Sequence, residues 1–151
     1  MELKKFYIDG EWVSPINQET IDLVNPANEE VIGKVNVGSD RDVDRAVKAA
    51  RSAFNKFSKS SVSERVELLS DIRNLFKKRF NDIADAIILE MGAPKNLAFG
   101  SQTSVGLSHL KTAIRVLENH QFEFQHGNYT IRHEPIGVCG LITPWNWPIN
   151  Q

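Results

Sequence analysis

The stretch that most constrains this fold is residues 135–148, where an apolar run stops at two prolines, two tryptophans and an asparagine. Residues 137–142 are short, apolar and bounded by prolines, a pattern typical of a strand buried on both faces in a parallel α/β sheet. Pro144 is expected to end the ladder, because proline lacks a backbone N–H. A buried strand needs neighbours on both sides, and the sequence stops soon afterwards at Gln151. We therefore expect the front part of a longer protein, with apolar surface left exposed.

Composition excludes several classes of partner. The chain has 151 residues, of which 41% are hydrophobic and 25% charged, and its formal net charge is −1. This balance gives no broad electrostatic attraction to nucleic acid or to an anionic membrane. No apolar run approaches the ~20 residues of a membrane helix, and no apolar signal core follows Met1. The single cysteine is consistent with a reducing compartment, so we expect a cytoplasmic protein.

Turn signals predict four short strands near the N-terminus. Residues 6–13 alternate around Asp9-Gly10, a strong hairpin signal. A third strand over residues 20–24 should stop at Asn25-Pro26, and residues 31–37 should form its partner. We expect these strands to make one small antiparallel sheet.

After these strands, apolar residues recur at helical spacing and predict a series of helices. Ser39 should cap a first helix, with Asp40 and Asp42 at the positive end of its dipole. A second helix should begin near Ser61 or Ser63 and break near Asn81, and a third over residues 83–91 should stop at Gly92.

A further helix is predicted from Pro94 to about His120. Its first half is weakened by Gly100 and Gly106, since glycine costs about 1 kcal/mol in a helix interior. Alternating residues on either side of Gly127-Asn128 then predict a hairpin or a sharp bend.

Two residues of the terminal stretch carry possible chemistry. Cys139 lies in the apolar run, so we expect it to be a buried structural residue rather than a nucleophile. Asn146 lies between two Xaa-Pro restraints at the strand end, where ligands bind in open α/β sheets. Its amide could be a fixed donor to a developing oxyanion. On the residues alone, a rigid aromatic plug is an equally good interpretation of this motif.

The terminal motif is similar to the Pro-Trp-Asn-Phe-Pro motif of aldehyde dehydrogenases, with Trp147 in place of the phenylalanine. Other segments resemble that family in the same order along the chain. They are residues 7–13, Asn25-Pro26-Ala27 with Glu30-Val31-Ile32, residues 42–51, residues 132–137, and Glu90-Met91-Gly92-Ala93-Pro94, in which Ala93 replaces the lysine often found there.

The resemblance implies NAD- or NADP-dependent oxidation of an aldehyde to a carboxylic acid. In the family a cysteine attacks the aldehyde, hydride passes to the nicotinamide, and a glutamate activates water to release the acid. Asn146 matches the asparagine that donates its amide to the oxyanion. The residues that line the nicotinamide side of the cofactor site match Ile142, Thr143, Pro144 and Trp145.

Two further features are implied by the resemblance. Some family members hold a monovalent cation through a backbone carbonyl and a carboxylate, and the matching positions are Val24 and Glu90. Residues 129–133 are similar to part of the family's oligomerisation hairpin, which implies a homo-oligomer, a dimer or a tetramer.

The implied fold class is α/β. The chain would form the N-terminal part of a Rossmann-like cofactor-binding domain, with small antiparallel N-terminal strands, several helices and an oligomerisation-hairpin strand. Residues 1–120 would belong to the cofactor-binding domain and residues 121–135 to the hairpin. Residues 136–151 would hold the first cofactor-domain strand and the Pro-Trp-Asn-Trp-Pro motif of an incomplete domain.

The family's nucleophilic cysteine, general-base glutamate, ribose-binding lysine and glycine-rich cofactor turn have no match here, and Cys139 lacks the nucleophile's context. We therefore expect this chain alone to be inactive. One alternative is a truncated, non-catalytic interaction module or remnant. A nucleotide-binding domain unrelated to aldehydes is a weaker alternative, because the chain has no Gly-x-Gly-x-x-Gly turn.

Overall fold

The structure is a computed structural model that describes residues 2–150, with side chains from Lys4 onward. Seven strands occur in these residues: β1 Glu2–Leu3, β2 Phe6–Ile8, β3 Glu11–Val13, β4 Thr20–Val24, β5 Val31–Asn36, β6 Glu123–His126 and β7 Tyr129–Arg132. The helices are α1 Asp40–Phe57, α2 Val62–Lys78, α3 Phe80–Met91, α4 Lys95–Leu97 and α5 Thr103–Asn119, with a π-helical segment Ala98–Gln102 between the last two. None of the helices in residues 2–150 is long and apolar enough to cross a membrane.

The predicted hairpin over residues 6–13 is confirmed. β2 and β3 pair antiparallel, with Phe6 opposite Val13. Asp9 and Gly10 both have positive φ, 55° and 81°, as a type I′ turn requires. This turn matches the right-handed twist of the strands, which is why the Asp-Gly pair was a reliable signal.

The prediction of one antiparallel sheet from four strands is wrong. β4 and β5 do pair antiparallel, but β5 takes β1 as a parallel neighbour on its other edge. β5 is thus the central strand of a three-stranded sheet, and the β2–β3 hairpin forms a separate two-stranded sheet.

The start of α1 is fixed by a single buried carboxylate. Asp42 is only 3% exposed, and its Oδ2 accepts from the Ser39 N–H at 3.0 Å and from Ser39 Oγ at 2.7 Å. Its Oδ1 accepts from the Ile16 N–H at 3.1 Å, which ties the loop after β3 to the helix. These donors, the Ser39 N–H foremost, hold the pKa of Asp42 below its ordinary value.

Gly92 ends α3 as predicted and brings it against the loop after β4. Its φ of 68° is the left-handed C-cap conformation that glycine adopts readily. A Cβ at this position would lie 2.9 Å from the Ala27 nitrogen and 3.1 Å from Pro26 Cγ. The preceding break falls at Arg79, slightly earlier than the predicted Asn81.

The sequence predicted a weak start to the last helix, and the structure has a π-helical turn at this point. Residues Ala98–Gln102 form a π-helical turn, and Ser104 Oγ donates to the Phe99 carbonyl at 3.0 Å. The π turn presents Ala98 and Gln102 inward, where both are buried. The main apolar core lies here, formed by Ile87, Ala93 and Ala98, with Ile149 of the terminal segment packed against it.

The hairpin around Gly127-Asn128 is confirmed by the antiparallel pairing of β6 with β7. Across it, Arg132 NH2 lies 2.7 Å from Glu123 Oε2. At its base, His120 Nε2 and His133 Nδ1 are 3.0 Å apart. The β6–β7 ribbon that this hairpin forms therefore begins close to the end of α5.

The expected buried strand over residues 137–142 is not formed. These residues have no ladder, and Gly137 has a φ of 131°, far from strand geometry. A strand depends on hydrogen bonds to a neighbour, and within residues 2–150 no strand lies beside this run. As expected, apolar side chains of the run are left exposed, with Leu141 at 86% and Ile142 at 100%.

Replacement of Asp42 by asparagine should make folding stability less dependent on pH. The lowered pKa means that Asp42 stabilises the fold above about 3.8, the value of a free aspartate, and that this contribution disappears as the pH falls through the folded-state pKa. Asp42→Asn should therefore lower the Tm at pH 7, and the difference should shrink toward pH 3. Thermal melts of both proteins across this range measure it.

Asp44→Asn is the matched control, because it removes the same charge from an exposed position of α1. It should leave the pH dependence of the Tm close to that of the original protein. A constant Tm difference between Asp42→Asn and the original protein from pH 3 to pH 7 would contradict this account.

Candidate functional site

The Pro-Trp-Asn-Trp-Pro motif is attached to the helices through the residues that follow it. Ile149 belongs to the apolar core, and its Cγ2 would lie 2.3 Å from a Cβ added to Gly106 of α5. Phe76 of α2 would lie 2.9 Å from the same Cβ. Only a glycine lets these side chains approach the helix backbone this closely.

Two hydrogen bonds add to this packing. His109 Nε2 and Asn150 Oδ1 are 2.8 Å apart, and the Asn150 N–H donates to the Trp147 carbonyl at 3.0 Å. The second bond closes a turn over residues 148–150. The chain after the motif is therefore fixed to α5 at two points, Gly106 and His109.

Asn146 is held through its backbone. The buried Gln102 of the π-helical segment donates Nε2–H to the Asn146 carbonyl at 3.0 Å. Pro144 and Pro148 restrict the residues before them, Thr143 and Trp147, to extended conformations. The side chain of Asn146 is exposed, and its amide is not used by the bond to Gln102. The Asn146 side chain therefore offers two N–H donors that do not titrate, and it extends from a restrained backbone.

The residues expected to line a cofactor are four consecutive positions, and all four are exposed. Ile142 is fully exposed and Trp145 is 75% exposed, with Thr143 and Pro144 exposed between them. Their backbone is not in a ladder, so its polar groups can accept or donate to a ligand. The geometry is compatible with the predicted role but does not test it.

Cys139 is not buried, contrary to the sequence-based expectation. Its side chain is exposed, and its Sγ lies 3.8 Å from the Gly137 carbonyl. The expectation assumed a strand covered on both faces, and the run that contains Cys139 has no such neighbours here. The atom beside Cys139 Sγ is a carbonyl oxygen, whereas a thiol is activated by a histidine or a cation.

Val24 and Glu90, the positions matched to a cation site, are both exposed. They lie on neighbouring elements, because Gly92 at the end of α3 packs against Pro26 and Ala27 after β4. Within the described residues no three His, Cys, Asp or Glu side chains form a metal-binding group. A cation held by one carbonyl and one carboxylate remains a prediction.

Sequence reasoning missed Gln102, Gly106 and His109, which together place the motif. Gly100 and Gly106 did signal an irregular helix, and the π-helical turn is that irregularity. No local pattern connects Gln102 with Asn146, because the two residues are 44 positions apart.

Comparison with known proteins extends these findings. The sequence matches the model of the aldehyde dehydrogenase family over residues 12–151. It is 44% identical over 151 residues to a 3-succinoylsemialdehyde-pyridine dehydrogenase from a Pseudomonas species, a match that covers 99% of this chain and 32% of the relative. The chain thus spans about a third of the length of this curated relative.

Solved structures agree with the fold. An aldehyde dehydrogenase from Bartonella henselae superimposes with a TM-score of 0.96 at 37% identity, covering 100% of this chain and 33% of the other. A cysteine-to-alanine variant of aldehyde dehydrogenase C from Pseudomonas syringae, solved with NAD+ and octanal, gives 0.94 at 45% identity, covering 97% and 30%.

The α/β arrangement of this chain is that of about a third of each of these aldehyde dehydrogenase structures. The chain belongs to the aldehyde dehydrogenase family.

Adding one methyl group at Gly106 should loosen the terminal segment. Gly106→Ala places a Cβ against Ile149 and Phe76, and overpacking of this kind costs roughly 1–3 kcal/mol in the free energy of unfolding. Urea denaturation measures the loss.

Gly100→Ala is the matched control, because a Cβ there meets nothing within 4 Å. It should be neutral or stabilising, since alanine favours a helix by about 1 kcal/mol over glycine. Equal stability of Gly106→Ala and the original protein would show that Ile149 does not pack against α5 in solution.

Proposed function

We propose that this protein takes part in the NAD(P)-dependent oxidation of an aldehyde to a carboxylic acid, and that Asn146 stabilises the oxyanion in that reaction. The observation that carries the proposal is the geometry of Asn146, whose exposed amide stands on a backbone held by Gln102 and two prolines. Family membership supports the reaction class.

The chemical argument starts from what the Asn146 amide can do. When a nucleophile adds to an aldehyde, the carbonyl oxygen acquires negative charge. An N–H donor fixed before the reaction stabilises this charge without having to reorganise. An amide has no proton to lose near neutral pH, so it would remain a donor throughout the working pH range.

The cofactor would bind along the segment before Asn146. Ile142, Thr143, Pro144 and Trp145 fit this role, because their backbone lies outside any ladder and their side chains are exposed. Bound NAD or NADP would supply the hydride acceptor. These four residues would position its nicotinamide end beside the Asn146 amide and exclude water from it.

The nucleophile and the general base would come from residues outside this chain. Support comes from Cys139, which precedes the cofactor segment and whose Sγ lies 3.8 Å from the Gly137 carbonyl, a neighbour that does not activate a thiol. Residues 1–151 would then contribute the oxyanion donor and part of the cofactor site. The aldehyde itself would be chosen by residues elsewhere.

We also propose domain boundaries, an oligomeric state and a cation site. The division into residues 1–120, 121–135 and 136–151 is supported by the end of α5 at Asn119 and by the β6–β7 ribbon. That ribbon would join copies of the protein into a homo-oligomer. Val24 and Glu90 would hold a monovalent cation, and the cytoplasmic location stays a prediction from the sequence.

Loss of the Asn146 amide should slow the chemical step. In the protein as its gene encodes it, Asn146→Ala should lower kcat by ~10²–10³, the usual effect of removing one oxyanion donor. Steady-state kinetics with NAD(P)+ and a panel of aldehydes, together with a single-turnover measurement of hydride transfer, give the result.

Asn55→Ala, at an exposed position of α1, should leave kcat unchanged. If Asn146→Ala retained the original rate of hydride transfer, Asn146 would not be the oxyanion donor.

A polypeptide of residues 1–151 should show no aldehyde oxidation, because neither a nucleophile nor a base is placed beside Asn146. NADH formation measured with the same aldehydes tests this point. Turnover that survives Cys139→Ala in this polypeptide would mean that the catalytic residues lie within it and that their assignment elsewhere is wrong.

A further inference from the structure

We propose that Gln102 is the positioning residue for Asn146, and that the π-helical turn exists to place its amide under the Pro-Trp-Asn-Trp-Pro segment. This inference rests on the proposed role of Asn146 as the oxyanion donor. Its structural basis is the bond from Gln102 Nε2 to the Asn146 carbonyl at 3.0 Å, a contact between residues 44 positions apart.

The burial of Gln102 shows that its side chain is committed to this contact. The residue is 1% exposed, and it is among the largest fully buried side chains of the described chain. A buried amide cannot exchange its partner for water, so the bond it makes is strengthened by the low local dielectric. The Asn146 carbonyl therefore has a fixed donor below it, while the rest of the residue faces outward.

Gln102 is an unfavourable residue for packing alone. Its Oε1 is buried without a hydrogen-bond partner in the described residues, and so is Oγ1 of the adjacent Thr103. An unpaired buried acceptor costs free energy that an apolar side chain of similar size would avoid. The amide is explained by the one bond that it does make, to Asn146.

The π-helical turn accounts for the direction of Gln102. It ends at this residue, and both Ala98 and Gln102 at its two ends are buried. Backbone bonds to the fifth residue back, rather than the fourth, change the angular position of each following side chain. Gln102 thereby points toward the terminal segment, while exposed Gly100 and Ser101 lie on the outer side of the turn.

A bond to the backbone of Asn146 affects the direction of its side chain. The carbonyl orientation sets ψ of Asn146, and with it the orientation of the peptide that links Asn146 to Trp147. Small errors in placement matter in catalysis, since a displacement of ~1 Å can cost ~10²-fold in rate. Fixing the carbonyl thus restrains the Cα–Cβ bond from which the amide donors extend.

The test replaces the Gln102 amide by an isosteric apolar side chain in the protein as its gene encodes it. Gln102→Met should lower kcat by about 10-fold or more while the KM values for NAD(P)+ and aldehyde change little, because only the transition-state contact is misplaced. The double variant Gln102→Met/Asn146→Ala should be no slower than Asn146→Ala alone, since both changes act through one donor. Gln121→Met, at an exposed position after α5, is the matched control and should behave as the original protein.

Hydrogen exchange provides a readout that does not depend on activity. In Gln102→Met, backbone amides of residues 145–150 should exchange faster, whereas those of α1 and α2 should keep their protection. General destabilisation would instead raise exchange throughout the helices and would contradict a positioning role. If Gln102→Met does not fold, Gln102→Asn keeps the amide but is one methylene too short, and the same kinetic and exchange effects are expected.

The outcomes separate the two claims. A large kcat loss in Asn146→Ala without one in Gln102→Met overturns the positioning role and leaves the proposed function intact. Additive losses in the double variant also overturn it, because they show that Gln102 acts independently of Asn146. An unchanged kcat in Asn146→Ala overturns the proposed function, and with it the catalytic meaning of the Gln102 bond.

Discussion

The close approach of Ile149 to Gly106 is the interaction on which the candidate site depends. Without it, the terminal segment would have only single hydrogen bonds to hold it against the helices. The missing Cβ of Gly106 lets Ile149 and Phe76 meet over the backbone of α5. Apolar packing then secures the chain after Asn146, and polar contacts need only set its orientation. Each type of interaction suits its role, because apolar packing is strong but not directional, whereas hydrogen bonds are directional but contribute little net stability.

The segment is held on one side only. Residues that follow Asn146 are anchored to α5, whereas residues 136–142 before it are apolar and largely exposed, and they form no strand. The same sequence would be well suited to the inside of a parallel sheet, where each residue is covered. Asn146 thus lies between an exposed run and a segment that packs against the helices.

Local chemistry made much of the fold predictable. The Asp9-Gly10 turn, the Ser39 cap and the Gly92 helix end each depend on neighbouring residues, and each lies where the sequence placed it. The features that the sequence did not predict depend instead on residues far away along the chain. The parallel partner of β5, the uncovered Cys139 and the bond from Gln102 to Asn146 all depend on residues distant in sequence. The residues alone indicated Asn146 as a possible oxyanion donor but left a rigid aromatic plug equally open, and the resemblance to a family favoured the donor.

The π-helical turn has a consequence for how this chain can change in length. A helix turns by about 100° per residue, so one residue more or fewer in Ala98–Gln102 would rotate the side chains on one side of it relative to the other. Gln102 and Gly106 both follow the changed position, so they would turn together relative to α3. Substitutions on the outer side of the turn change only a surface, whereas a single-codon deletion there would move both supports of the segment relative to α3. The number of residues in this turn is therefore constrained even at exposed positions such as Gly100 and Ser101, where identity is not.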